Sequence, residues 1–457
     1  MNYLKLSTYL NYCSSIINAA AERDKERYRL ALLTSLSSLL SKCATIFVMF
    51  FSVRIALPYL GVERFGIWML IASFVGLLSF LDFGIGNTLV NRVAMLSIPS
   101  YQRSKSSRIG ASLLVLAIIS IFMGIFLYLI AEYFPWHLFL KVSSPDLYVE
   151  IHKAIKVFVI FFSLNIFGGG VNKIFLGLQR GYEANFFNVF GSLISLPVLW
   201  IVISTDGGLS AILAASMFGA TLTNFLLLML LVYRGEISRR HLKMNLKVEA
   251  SHLLKFGRGF FLLQIGAMAI YAIDNIIIAG ALGVIAVATY TITQRLFQFA
   301  IQPFVIMNSG LWPAYANARA HGDKSYIAMT LKRSMIITIA GSTFTTLVLL
   351  IFGKTLILWW THNEISVSYY LLCAFAFWAV IDASANSFST FLNGTSQIGS
   401  QVKVAFTLIF IGLPLKFILL SCFGLEGMLI GSTLFFLANN FFWHGIIYKK
   451  LTFSVFI

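Results

Sequence analysis

Five basic side chains lie within apolar stretches that are long enough to cross a lipid bilayer. A lysine or arginine at the centre of a membrane helix costs about 2.5–3.5 kcal/mol on insertion scales, unless it faces a water-filled cavity or a partner. A membrane protein that carries several such residues is expected to surround an anionic ligand. The five are Lys42, Arg54, Lys173, Arg295 and Lys416.

The five bases differ in their positions along the predicted spans. Arg295, Lys416 and Lys173 lie well inside their spans, and we predict that these three contact an anion. Lys42 and Arg54 lie near the ends of one span, where a long side chain can extend to the membrane surface. They are weaker candidates for the same cavity.

Three acids, Asp82, Asp274 and Asp382, are embedded in the same way. Five bases against three acids leave a surplus of positive charge, so internal pairing cannot neutralise all of them. Poor hydration favours the protonated form of a carboxyl group. Asp274 or Asp382 could therefore carry a proton during ion-coupled transport. The alternative is that each forms a structural pair with Arg295 or Lys416.

Glycine residues predict that the helix is locally loosened or interrupted in two of these spans. Gly168, Gly169 and Gly170 precede Lys173 and are expected to loosen their helix and expose its backbone groups. Gly84 and Gly86 are expected to interrupt another span.

The composition places the chain among integral membrane proteins. Of 457 residues, 59% are hydrophobic and only 11% are charged, whereas soluble domains carry roughly 25% charged residues. Neither the four cysteines nor the seven histidines have the spacing of a disulfide framework or a metal site. No nucleophile and base cluster at an interpretable spacing. We therefore expect no metal, no cofactor and no enzymatic activity.

Twelve apolar runs predict an all-α protein with about 12 transmembrane helices. They lie near 36–57, 65–87, 109–131, 154–178, 185–204, 209–233, 257–281, 285–307, 334–356, 367–391, 404–422 and 425–447. With both termini in the cytoplasm, 24 Lys and Arg residues fall in cytoplasmic segments and 5 in external loops. This bias is the positive-inside pattern. It explains the net charge of +17 without a nucleic-acid partner.

The longest internal loop divides the chain into two halves of six spans. The predicted units are a cytoplasmic or interfacial tail (1–30), an N-terminal six-helix bundle (31–233), a basic cytoplasmic linker (234–256), a C-terminal six-helix bundle (257–449) and a C-terminal tail (450–457). Leu60-Gly61-Val62 follows the first span and Leu282-Gly283-Val284 follows the seventh. This echo is compatible with the repeated halves of many transporters.

Two stretches of the chain resemble a known family. The first comprises Phe65-Gly66-Ile67-Trp68, then Leu81-Asp82-Phe83-Gly84-Ile85-Gly86-Asn87 and Val90-Asn91-Arg92. The second runs from Asp274-Asn275-Ile276-Ile277-Ile278-Ala279 through Leu282-Gly283 and Tyr290 to Gln294-Arg295-Leu296-Phe297. They are similar to O-antigen repeat-unit flippases of the Wzx type, which belong to the multidrug/oligosaccharidyl-lipid/polysaccharide (MOP) exporter superfamily.

This resemblance implies two helix bundles around a central cavity in a bacterial inner membrane. The implied substrate is an oligosaccharide on undecaprenyl pyrophosphate, with the embedded bases binding the pyrophosphate. Asp82, Asn87 and Arg92 would form the family's group in span 2, where we favour a structural role for Asp82. Asp274 and Arg295 would form its group in the C-terminal bundle. The resemblance also implies that transport is coupled to protons or sodium. It further implies a polysaccharide polymerase and chain-length proteins as partners.

Three other functions remain open from the sequence. A drug or cation antiporter of the same superfamily should have an acidic cavity, which the basic surplus disfavours. A polysaccharide polymerase or glycosyltransferase would need an extramembrane site, but the longest external loop, near 132–153, has only about twenty residues. A membrane scaffold would not require so many embedded charges.

Overall fold

The structure is a computed structural model built entirely from helices in the part of the chain that it describes. It describes residues 3–78, 84–96, 104–136, 145–237, 246–257, 261, 273–309, 311–320, 323–395 and 397–455. The helices are α1 (Tyr3–Leu78), α2 (Ile85–Leu96), α3 (Lys105–Tyr133), α4 (Pro145–Gly177), α5 (Gly181–Ser204), α6 (Leu209–Tyr233), α7 (246–257), α8 (Asp274–Leu282), α9 (Val284–Ser309), α10 (Leu311–Ala320), α11 (Lys324–Trp360), α12 (Tyr369–Gly394), α13 (Ile398–Thr407) and α14 (Leu413–Val455). A π-helical turn, Leu408–Gly412, joins α13 to α14.

Nine of the helices in the described residues are long and apolar enough to cross a membrane. Two of them correspond to two predicted spans each. One is α1, which turns at Gly61, and the other is the segment Gly399–Trp443, which runs through α13 and the π-helical turn into α14 and turns at Gly424. The predicted span 257–281 lies largely outside the described residues, which include its last part as α8. The predicted all-α membrane fold is confirmed.

The helix α4 contradicts one expectation about its glycines. It continues without a break through Gly168, Gly169 and Gly170 to Gly177. A Cβ at Gly168 would overlap the Asn224 side chain, and one at Gly170 would overlap Leu116. These glycines therefore allow close packing of neighbouring helices, and the prediction of a loosened span was wrong.

The predicted interruption of the second span is confirmed at one of its two glycines. Gly84 has a φ of +71° immediately before α2 begins at Ile85. Gly86 lies inside α2. Asp82, which precedes this turn, lies outside the described residues.

Equivalent turns of the two halves share one backbone conformation. Gly61 has φ and ψ of 69° and 168°, and Gly283 has 86° and 176°. The turn at Gly283 contacts the helix that follows the turn at Gly61, because a Cβ at Gly66 would overlap the Val284 carbonyl oxygen. The shared tripeptide thus marks the same structural feature twice.

The apolar core is arranged differently at the two ends of the molecule. At the ends predicted to be external, one cluster joins both halves and includes Leu57 and Phe65 together with Val284 and Trp360. At the ends predicted to be cytoplasmic, separate clusters form around Phe175 in the N-terminal half and around residues of α10–α12 in the other. Among the residues that the structure describes, the halves are therefore packed together at the predicted external ends.

The predicted tails and linker are partly described. Helix α1 begins at Tyr3, so residues 3–30 are helical and continuous with the first span. The linker includes α7 and packs against α2. Helix α14 ends at Val455. The exact unit boundaries stay predictions.

Candidate functional site

A cavity of about 510 Å³ lies between the two halves. Most of its wall comes from the N-terminal half, on α1, α4, α5 and α6. The lining residues are Ser41, Thr45, Val48, Met49, Ser52, Trp68, Met69, Ala72, Val75, Phe158, Asn188, Gly191, Ser192, Ser195, Leu199, Leu213, Ser216, Met217, Ala220 and Thr223, with Arg295 from α9. The wall combines apolar groups with hydroxyl and amide groups.

Arg295 is the charged residue of this lining. Helix α9 places Arg295 opposite the N-terminal half, and the Arg295 side chain is half-buried. Within the described part of the chain, no hydrogen bond or ion pair involves its guanidinium group. Five N–H donors in a partly desolvated cavity can therefore bind an anion from solution or membrane.

The cavity is closed at its predicted external end by contacts between α1 and α11. The indole Nε1 of Trp360 donates to the Phe50 carbonyl oxygen over 2.9 Å, and the two rings stack with centroids 4.9 Å apart. Beyond Ser52, α1 is packed in the shared core, where Val53 and Leu57 have no exposed surface. Among the described residues, no core cluster joins the halves at the opposite end, so in this part of the chain the cavity opens toward the side predicted to be cytoplasmic.

Arg54 belongs to this closure and is absent from the cavity lining. Its guanidinium group donates to the Trp359 carbonyl oxygen over 2.7 Å and lies 4.3 Å from the centre of the Trp359 ring. A hydrogen bond and a cation–π contact thus satisfy a charge near the end of its span.

Lys416 and Asp274 form an ion pair in the C-terminal half. The Lys416 ammonium group lies 2.5 Å from Asp274 Oδ1, and the Tyr290 hydroxyl group donates to Oδ2 over 2.9 Å. Both residues line a separate cavity of about 30 Å³, which is large enough for a water molecule. Asp274 is therefore in a structural pair with Lys416, which was the alternative to a role in ion coupling. Lys416 lies away from the main cavity.

The structure does not bring the five predicted bases together. Lys42 is exposed on α1, and Lys173 is half-buried on α4; neither lines the main cavity. Asp382 is half-buried on α12. Asn87 lies on α2, but its side chain is outside the described residues. The roles predicted for these residues stay predictions.

Arg92 forms a buried ion pair that the sequence did not predict. Its guanidinium group binds Glu249 of α7 through two hydrogen bonds of 2.7 and 2.6 Å. Arg108 approaches the same carboxylate at 3.4 Å. Burial, and to a smaller extent Arg92, lower the pKa of the neighbouring His252. The feature of the sequence that could have indicated this ion pair was an acidic residue in a linker that is otherwise rich in lysine and arginine.

Amide side chains form a second unpredicted feature, a hydrogen-bonded chain across α5, α4 and α6. Asn188 donates to Asn172 over 3.1 Å, Asn172 to Asn224 over 2.6 Å, and Asn224 to Asn165 over 2.9 Å. Asn165 donates in turn to the Thr221 hydroxyl group over 3.0 Å. The signal in the sequence was asparagine at several positions within apolar spans.

Comparison with known proteins supports the family predicted from the sequence motifs. Residues 261–419 match the MatE family model. A protein of Yersinia pseudotuberculosis named "Putative O-antigen export protein" is 25% identical over 425 residues, which cover 88% of this chain and 92% of that protein. A "Putative O-antigen transporter" of Salmonella typhimurium is 26% identical over 308 residues, covering 63% of this chain and 66% of that protein.

A solved structure shares the fold. It is the inward-facing conformation of a multidrug resistance MATE family transporter of the MOP superfamily, with a TM-score of 0.74 at 15% sequence identity. The match covers 91% of this chain and 99% of the other. The resemblance predicted from the sequence is thus confirmed: the chain is a multi-pass inner-membrane protein that is similar in sequence to proteins named as O-antigen exporters and has the fold of a MATE family transporter of the MOP superfamily.

Proposed function

We propose that the protein moves oligosaccharide units linked to undecaprenyl pyrophosphate, such as O-antigen repeat units, from the cytoplasmic to the periplasmic face of the membrane. The observation that carries this proposal is Arg295, whose charge faces the main cavity with no partner among the described residues. A pyrophosphate would supply the missing anion. The names of the two relatives support the same substrate class.

The chemistry of arginine fits this ligand. Its planar guanidinium group forms paired hydrogen bonds to phosphate oxygens, and charge-assisted bonds strengthen where water is scarce. The cavity lies between helices of an apolar protein, so the lipid tail can remain in the bilayer while the head group enters.

The cavity's charge argues against a drug or cation antiporter. The fold itself does not discriminate, because the solved structure that shares it belongs to a multidrug transporter. A cation in the cavity would meet the positive charge of Arg295 and, from the lining residues, no acid. An anionic head group would instead be attracted by the positive charge of Arg295.

The arrangement of the core supports alternating access. The cavity opens toward the predicted cytoplasmic side, where the substrate is assembled, and the shared core closes it on the other side. Release to the periplasm then requires the contacts of Phe50 and Arg54 with α11 to separate. Coupling to protons or sodium through Asp274 or Asp382 is part of this proposal.

The test replaces Arg295 in a strain that lacks the chromosomal gene. We expect Arg295→Gln to lower surface polysaccharide about 30-fold or more, since a charged hydrogen-bonding group is lost from a partly buried site. Lipid-linked repeat units should accumulate on the cytoplasmic face. Arg295→Lys should retain part of the activity.

Arg64→Gln is the matched control, because Arg64 is an exposed external arginine paired with Glu150. It should leave polysaccharide unchanged at equal protein level. Full polysaccharide with Arg295→Gln would refute the proposal. Loss of polymer with repeat units already on the periplasmic face would instead indicate a polymerase or its partner.

A further inference from the structure

Several of the hydroxyl groups that line the cavity donate their protons to carbonyl oxygens of the protein. Thr45 donates to the Ser41 carbonyl oxygen over 2.9 Å, and Ser216 donates to that of Leu213 over 2.7 Å. Thr223 donates to the Phe187 carbonyl oxygen over 3.0 Å. Each hydroxyl oxygen therefore presents its remaining lone pairs, so these groups are hydrogen-bond acceptors toward the cavity.

The amide of Asn188 has a fixed orientation of the same kind. Its Nδ2 donates to Asn172 Oδ1, and the orientation of Asn172 is fixed because its own Nδ2 donates to the Gly168 carbonyl oxygen over 3.3 Å. At the far end of the chain, Asn165 Nδ2 donates to the Phe161 carbonyl oxygen over 2.8 Å. A carbonyl oxygen only accepts, so these ends set the direction of the whole chain. The Oδ1 of Asn188 is then an available acceptor at the cavity, beside the second N–H of its Nδ2.

Several groups on one side of the cavity therefore accept hydrogen bonds, whereas the charged group on the other side donates them. The side formed by α1, α5 and α6, which we call the acceptor wall, carries the acceptors Thr45, Asn188, Ser216 and Thr223. Arg295 on α9 carries donors only. Phosphate oxygens accept and do not donate, so an acceptor wall does not suit them. Sugar hydroxyl groups donate.

We infer that the acceptor wall binds the hydroxyl groups of the glycan while Arg295 binds the pyrophosphate. This inference rests on the proposed function and extends it by assigning the two parts of the substrate to opposite halves of the protein. A substrate bound in this way touches both α9 and the N-terminal half. It can therefore favour one arrangement of the halves over another.

The experiment measures binding to the purified full-length protein in lipid nanodiscs with two probes. One probe is undecaprenyl pyrophosphate without sugars, and the other is the same lipid carrying the host's repeat unit. We expect Ser216→Ala to weaken binding of the glycan-bearing lipid about three- to tenfold, the effect of one neutral hydrogen bond. It should leave the Kd of the sugar-free lipid unchanged.

Asn188→Ala should behave in the same way, and Arg295→Gln should weaken both lipids. Ser204→Ala is the matched control, because Ser204 is an exposed serine on α5 outside the cavity. The inference is overturned if Ser216→Ala and Asn188→Ala weaken both lipids equally or neither. The proposed function itself falls if Arg295→Gln leaves both Kd values unchanged, so the two failures are distinguishable.

Discussion

At the scale of single residues, the embedded charges are stabilised in different ways. Lys416 is neutralised by an acid, whereas Arg54 is held by a carbonyl oxygen and an aromatic ring. Arg295 faces the cavity. A buried or half-buried charge that lacks an internal partner is costly. The position of Arg295 in a cavity is therefore stronger evidence for an anionic ligand than the number of embedded charges in the sequence.

The ion pair between Arg92 and Glu249 is expected to contribute strongly to stability. The Arg92 side chain is 8% exposed and that of Glu249 is fully buried. Glu249→Gln removes the negative charge from two arginines, and we expect a loss of about 3–5 kcal/mol in the free energy of unfolding, as for other broken buried pairs. Denaturant unfolding of the purified protein in detergent measures this change.

Arg64→Gln serves as the control for this prediction as well. Its pair with Glu150 is more exposed, with 49% of the Arg64 side chain accessible. Such a pair contributes about 0–1 kcal/mol. Equal losses in the two variants would contradict a stabilising role for the buried pair.

At the scale of elements, glycine determines how closely helices and turns approach. The turns at Gly61 and Gly283 combine a positive φ with a ψ near 180°, a backbone conformation that is essentially restricted to glycine. Gly66 is required for a different reason, because its helix touches the backbone at Val284. The two halves can thus meet at their equivalent turns.

We expect Gly66→Ala to force α1 away from α9. The new methyl group meets a carbonyl oxygen of the backbone, which cannot rotate away as a side chain can. Overpacking of this kind costs about 1–3 kcal/mol, and thermal unfolding of the purified protein should show a lower Tm.

Gly169→Ala is the matched helical glycine. A Cβ at Gly169 has no atom within 4 Å, and alanine favours helix, so the Tm should stay the same or rise slightly. If Gly66→Ala and Gly169→Ala lowered the Tm equally, the close contact between Gly66 and the Val284 backbone would be contradicted.

At the scale of the whole molecule, the distribution of apolar contacts defines which side is open. Among the described residues, a single core joins the halves at one end, and separate clusters form within each half at the other. Opening the cavity to the periplasm must break the shared core. The contacts of Trp360 are part of that cost, since its side chain is 1% exposed and is bonded to Phe50.

We expect Trp360→Ala to increase access to the cavity from the periplasm. Removing the stacked ring weakens the closed arrangement, and each 1.4 kcal/mol of lost preference changes the ratio of the two arrangements about tenfold. The measurement uses Ser52→Cys in a background without the native cysteines. A maleimide that cannot cross the membrane should label the introduced cysteine at least about threefold faster in the Trp360→Ala variant.

Trp200→Ala is the control, because Trp200 is an exposed tryptophan near the end of α5. It should not change the labelling rate of the introduced cysteine. Unchanged labelling in the Trp360→Ala variant would show that this residue does not close the cavity.

The sequence by itself determined the class of protein, most of its helices and the family that it resembles. Hydropathy and the distribution of charge act along the chain, so a run of about 20 apolar residues predicts a span wherever its neighbours lie. The tripeptides at Gly61 and Gly283 marked equivalent turns for the same reason, since a positive φ is a local property of glycine.

Only the tertiary structure decided which charges face the cavity. The direction of a side chain depends on the rotation of its helix and on what packs against it, neither of which is written in the local sequence. Arg295 lines the cavity, whereas Lys416 meets Asp274 and Arg54 meets Trp359. The partners are 142 and 305 residues apart in the chain. Contacts at such separations form only when the helices assemble.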